Sequence, residues 1–216
     1  MVIQLPSLKA RTSQMTYRNI LCLSAHTDDS ELGAGASIAK WRYYGSNVLL
    51  VSFSATEDRK LLIAEQENAA SMLNIQPYNL KVLSYEVRKF QGHRQEILDT
   101  MISIGNEYKP DLVLCPSSQD SHQDHTTVHK EAVRAFRGVS MLGYECPWNN
   151  RSFSTDVFSV IQEAHMQRKV DALACYRSQV EKPYMKEEYT RSLALVHGAT
   201  IKKRYAESFE AIRIVI

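Results

Sequence analysis

Short apolar runs alternate along this chain with longer stretches whose apolar residues recur at helical spacing. The runs at 19–24, 48–53, 80–84, 111–115, 155–161 and 209–216 predict strands. The 48–53 run, VLLVSF, is almost wholly apolar, as expected of a strand covered on both faces. Between the runs, Leu32, Ala36, Ala39 and Tyr43 predict a helix over 32–44, and Gly45 suits its end. Ile97, Met101, Ile104 and Tyr108 predict another over 93–108, stopped by Pro110. Further helices are expected over 61–73, from a cap at Asp124 or Thr126 to about Arg137, over 164–177 and over 186–196. Strands alternating with helices argue an α/β fold with a parallel, doubly wound sheet. Residues 1–17 are polar and irregular and read as a surface arm on a single domain spanning 1–216.

Two strand ends carry clusters that packing alone does not explain. The first apolar run stops at Ser24–Ala25 and is followed by His26, Asp28 and Asp29. The run at 111–115 is followed by PSSQDSHQDHTTVHK, which holds His122, Asp124, His125 and His129. Each cluster lies between a strand and a helix, the edge of an open α/β sheet where ligands bind. Right-handed crossovers place successive loops of this kind on one edge, so neighbouring strands would bring the two clusters together. The physical reading is a zinc site, because catalytic zinc takes three His or Asp/Glu ligands and keeps an open position. His26, Asp29 and His125 would supply those ligands. Asp28 would then take a proton from a zinc-activated water. His122, as a cation, would stabilise an oxyanion or protonate a leaving amine, with Asp124 holding it charged. His129, one turn after His125, either faces the site or supports it. Asp28 and Asp29 alone would also suit a helix N-terminus. It is the pairing of HxDD with HxDH that is specific.

Composition narrows the picture by exclusion. A formal net charge of +2 is too mild to make nucleic acid or an anionic membrane the main partner. No apolar run approaches the roughly 20 residues of a membrane span, and the N-terminus lacks a signal-peptide core. A cytoplasmic location is expected. Cys22, Cys115, Cys146 and Cys175 form no CxxC pair and read as free thiols.

The same residues carry a family resemblance. AHTDDSELGAG resembles the AHPDDExLGxGG signature of the PIG-L/LmbE-like zinc deacetylases, and SHQDHTTVH resembles their HPDHxxxH signature. KVDALACYRSQ and GATIKKRYAESFEAIR are similar to two further segments of that family, so the likeness spans most of 19–216. It implies a Rossmann-like three-layer α/β/α sandwich with a mostly parallel sheet. It also implies hydrolysis of an N-acyl group, mostly from N-acetylglucosaminyl compounds. On the matching positions it implies His26, Asp29 and His125 as Zn2+ ligands and Asp28 as general base. His122 becomes the acid or electrostatic partner, with Asp124 behind it. Thr27, Ser30 and Gln123 depart from the signatures, but none is an inferred ligand or base. Leu62 or Ile63 stands where many members carry a substrate-holding Arg, and Arg59 is the nearest replacement.

The function expected is removal of an N-acetyl group, with acetate released, from an N-acetylglucosamine-type sugar or conjugate. The alternatives are an amidase acting on a larger conjugate and an inactive sugar- or nucleotide-binding module. Specificity is expected in loops 54–60, 85–93 and 140–155. In the last of these, Trp148 and Arg151 suit a sugar ring bearing an anionic group.

Overall fold

The computed structural model describes residues 17–55 and 58–216. The expected arm at 1–17, apart from Tyr17, and residues 56 and 57 of the first expected loop lie outside the described residues. The strands are β1 (Asn19–Ser24), β2 (Asn47–Ser52), β3 (Leu80–Val82), β4 (Leu112–Pro116), β5 (Ser140–Tyr144), β6 (Val157–Ile161) and β7 (Tyr205–Arg213). The α-helices are α1 (Asp29–Tyr44), α2 (Arg59–Met72), α3 (Arg94–Tyr108), α4 (Gln123–Ala135), α5 (Glu163–Leu173) and α6 (Glu187–Thr200). The strands form one seven-stranded sheet in the order β3-β2-β1-β4-β5-β7-β6. The pairs from β3 to β5 are parallel, while β7 runs antiparallel to both β5 and β6.

Alternate strand residues feed opposite layers, which is why the central strands are apolar throughout. Ile20, Cys22, Val48, Leu50, Leu112 and Leu114 pack against α1, α2 and α5. Leu21, Leu23, Leu49, Val51, Val113 and Cys115 pack against α3 and α4. This is the expected α/β/α sandwich, with a mostly rather than wholly parallel sheet.

Three boundaries differ from the sequence pattern. Residues 140–144, expected as loop, are the buried strand β5. Gly143 breaks its apolar run because two groups approach there. A Cβ at that position would meet Glu210 Oε2 at 2.8 Å and Ser117 Cα at 3.0 Å. The last strand starts at Tyr205 rather than 209, because its polar residues Glu207 and Ser208 are buried. The helix expected to be capped by Asp124 or Thr126 starts earlier, at Gln123. His122 is its cap, with Nδ1 accepting from the Asp124 amide at 3.2 Å.

The N-terminal half of α1 is held by charge as well as by packing. Glu207 accepts the amide protons of Ala36 at 3.1 Å and Ser37 at 2.6 Å. Lys169 Nζ pairs with Glu207 at 2.7 Å and donates to the Leu32 carbonyl at 2.6 Å. Both side chains are buried. The α1 backbone also comes close to Tyr144: a Cβ on Gly33 would fall inside the space of that buried ring. Among the described residues no helix is long and apolar enough to cross a membrane.

Removing one partner of a buried ion pair leaves the other charge uncompensated. Lys169→Met is therefore expected to lower the unfolding free energy by about 3–5 kcal/mol in urea titrations. Lys169→Met combined with Glu207→Gln should recover much of that loss, and equal losses in the single and double variants would contradict the pairing.

Candidate metal centre

β1 and β4 are adjacent in the sheet, with Ile20 opposite Leu112, so the loops that follow them open side by side. The first loop ends in α1. Asp28 occupies the N-cap of that helix, yet its carboxylate makes no capping bond. Asp29, in the first turn, turns back and accepts the His26 amide proton on Oδ2 at 2.7 Å. The second loop ends in α4, which brings His125 inward. His26 Nδ1 lies 3.2 Å from His125 Nε2 and 3.6 Å from Asp29 Oδ2. His125 Nε2 lies 3.4 Å from Asp29 Oδ1. Donors about 2.0–2.1 Å from a tetrahedral zinc stand about 3.3 Å from one another. Two imidazole nitrogens and one carboxylate at these separations fit such an ion. His122 is beside them, its ring centroid 5.0 Å from that of His26 and 4.8 Å from that of His125.

The imidazoles are oriented from behind by carboxylates. Asp124 Oδ2 takes the far nitrogen of His26, Nε2, at 3.2 Å, and also accepts the Arg88 amide at 2.7 Å. Its carboxylate thus supports His26. The sequence expectation placed it behind His122; its amide donates to that ring, and its charge also raises the ring's proton affinity. Asp120 performs the same service for His125, with Oδ2 2.8 Å from Nδ1. Its other oxygen accepts the His122 amide at 2.8 Å. Asp120 was missed by motif reading. Its signal was a carboxylate five residues before a metal-type His in the same loop. His129 does not join the cluster; its Nδ1 donates to the Pro116 carbonyl at 2.8 Å, tying α4 to the end of β4.

Burial raises the proton affinity of Asp28, and neighbouring Asp29 raises it further, against His26 and Lys182. Burial works against a charged His125, but Asp29 and then Asp120 outweigh it and push its pKa up to about 9. For Asp124, hydrogen bonds from His26 and the Arg88 amide outweigh burial and hold its carboxyl below the usual range. His122 moves the other way. Burial, and then the neighbouring His125 and His26, lower its pKa against Asp124 and Asp29, which favours the neutral ring. Because Nδ1 accepts from the Asp124 amide, the ring proton sits on Nε2.

The cluster lies on a cleft of about 330 Å³ whose walls include Ser54, Leu62, Arg88, Trp148, Gln179, Lys182 and Tyr184. Trp148 stacks on Tyr184, with centroids 3.9 Å apart and planes 14° from parallel. Leu62 faces the cleft where the resemblance implied a substrate-holding Arg. Arg59 does not replace it: its guanidinium donates to the Leu83 and Val82 carbonyls at 2.6 and 3.0 Å, fixing α2 to the end of β3. Arg151 is exposed and is not part of the cleft wall. The part of the wall at Lys182 and Tyr184 was not foreseen, because its polar, Pro-broken sequence reads only as a connection.

A family model described as PIG-L: GlcNAc-PI de-N-acetylase matches residues 21–136. A protein of Escherichia coli (strain K12) described as uncharacterized deacetylase YaiS is 31% identical over 175 residues, covering 74% of this chain and 91% of that protein. The fold is similar to that of N,N'-diacetylchitobiose deacetylase from Pyrococcus horikoshii, with a TM-score of 0.71 and 18% identity, covering 95% of this chain and 87% of that one. It is also similar to GalB, the 4-carboxy-2-hydroxymuconate hydratase from Pseudomonas putida KT2440, with a TM-score of 0.75 and 18% identity, covering 92% and 98%. At these identities the structural likenesses concern the fold.

A carboxylate behind a ligating imidazole typically contributes tenfold or more to metal affinity. Asp120→Ala is expected to weaken zinc binding by about 10–100-fold in competition with a chromogenic chelator. Unchanged affinity would show that Asp120 does not set the His125 ring.

Proposed function

Because the chain belongs to the PIG-L family, we propose that it is a zinc-dependent hydrolase removing the N-acetyl group from an N-acetylglucosamine-type sugar or sugar conjugate. The observation that carries this reading is the trio of donors, His26 Nδ1, His125 Nε2 and the Asp29 carboxylate, at 3.2 to 3.6 Å from one another. The deacetylase descriptions of the family model, the Escherichia coli relative and the Pyrococcus horikoshii structure support the choice of an N-acetyl bond. His26, Asp29 and His125 would hold the zinc, which when bound supplies Lewis acidity at neutral pH.

The chain's own residues divide the proton work. Asp28, free of any capping bond and with its proton affinity raised, accepts a proton from the water that attacks the acetamide carbon. His122 directs its Nε2–H at the carbonyl oxygen as that oxygen gains negative charge. Protonated Asp28 then returns the proton to the departing nitrogen, so that amide and water become acetate and free amine. The aromatic pair Trp148–Tyr184 on the cleft wall offers a face for a sugar ring.

The fold also carries a hydratase in Pseudomonas putida, so the assay must read the product. Zinc-loaded protein is expected to release acetate from N-acetylglucosamine compounds, to stop when chelated and to resume on adding zinc. Asp28→Asn is expected to lower kcat by about 10²–10⁴-fold. Zinc-bound protein that releases no acetate from free, nucleotide-linked or oligomeric N-acetylglucosamine would refute the deacetylase reading. An unchanged Asp28→Asn rate would remove the base.

A further inference from the structure

Beside the metal-type trio lies a thiol that the hydrolytic reading does not use. Cys146 follows β5, the strand next to β4, so it emerges at the same sheet edge as the two site loops. Its position is fixed by a tight turn. The Cys146 carbonyl accepts the amides of Asn149 and Asn150 at 2.8 and 3.1 Å, and its amide donates to Asn150 Oδ1 at 3.0 Å. The side chain is fully buried. Burial, and then the charges of Asp29, Asp120, Asp28 and Glu145, hold the thiol protonated until a cation arrives. Ligand atoms of Asp29, His125 and Cys146 all lie within 4.8 Å of one another.

We propose that Asp29, His125 and Cys146 form a second, inner metal position that takes a thiophilic divalent ion such as Cd2+. Three arguments support it. The donor set is one thiolate, one imidazole and one carboxylate, and thiolate ligands select soft ions over hard ones. The two anions balance a divalent charge within a region where all three residues are buried, at 3%, 2% and 0% exposure for Asp29, His125 and Cys146. The ligand atoms already lie within 4.8 Å of one another, and a tetrahedral shell would draw them closer.

The inner position shares Asp29 and His125 with the hydrolytic one, so a single ion occupies one or the other. In the inner position Cys146 takes the place of His26 among the ligands. The thiol and the imidazole both bind without their protons, so protons are released as the ion is taken up. The inference rests on two ligands of the zinc reading above, but not on the reaction assigned to them.

The test is to titrate metal-free wild-type protein with Cd2+ and to follow the thiolate-to-cadmium charge-transfer absorption in the ultraviolet. The band is expected to saturate at one ion per chain. It should be lost in Cys146→Ser and kept in Cys175→Ser, which removes the more exposed thiol. A far-ultraviolet circular-dichroism spectrum and urea midpoint equal to wild type show that Cys146→Ser is folded, and Cys146→Ala serves as a second variant that must also lose the band. Adding zinc to the cadmium-loaded wild type should not raise the total metal above one per chain. Stoichiometric cadmium without the band, a band that survives in Cys146→Ser, or two ions per chain would each overturn the proposal. Acetate release plays no part in the readout, so a failed deacetylase assay and a failed inner site are separate results.

Discussion

The arrangement depends on keeping two imidazoles and two carboxylates crowded at one end of a sheet in a region largely closed to water. Such groups gain little by meeting unless an ion or a network compensates them. Here the compensation comes mostly from the backbone and from outlying carboxylates. Asp29 accepts the His26 amide, Asp124 accepts amides from 88 and 90, and Asp120 accepts the His122 amide. Each acid is thereby fixed before any ligand arrives, and each imidazole presents one nitrogen to the common point while the other is held from behind. The adjacency of β1 and β4 makes this possible, since it lets two segments about a hundred residues apart in the chain share one coordination volume.

Orientation of the first segment is enforced from the far side of α1. The Lys169–Glu207 pair engages the Leu32 carbonyl and the amides of Ala36 and Ser37. Tyr176 reaches the Thr27 carbonyl and stands 2.9 Å from Glu31 Oε1. Glu31 is fully buried, and burial raises its pKa to about 7. Ser178 completes the frame by donating to Glu65 on α2 through its amide and its hydroxyl. These residues come from the two later segments that resemble family motifs, neither of which supplies a donor to the trio. Their place in the chain is explained by holding the helix whose first turn carries Asp28 and Asp29.

Much of this was legible from residue order alone. Periodicity placed the central strands and most helices, because buried parallel strands are continuous apolar runs and amphipathic helices repeat their buried face. The trio was legible because its members sit in two compact clusters at strand ends. What failed had a common cause: polar residues whose partners are distant in sequence. Glu207 looks like loop until Lys169 is beside it, and β5 looks like loop until Glu210 and Ser117 explain Gly143. Asp124 acts on its neighbour His122 as expected, but the fold also turns its carboxylate to His26 across 98 positions, which residue order does not show. Arg59 had a cationic side chain near the right place, yet two strand-end carbonyls occupy it. Lys182 and Tyr184 on the cleft wall have no periodic or motif signal, and only tertiary packing brings them to the cleft that Arg88 also lines.

The central claim is that His26, Asp29 and His125 grip one ion together. Anomalous diffraction at the zinc absorption edge, from crystals grown with zinc, reads this directly. The account predicts one peak bonded to His26 Nδ1, His125 Nε2 and an Asp29 oxygen, each at about 2.0–2.2 Å. Zinc bound elsewhere, with the two imidazoles on different ions or on none, would contradict it.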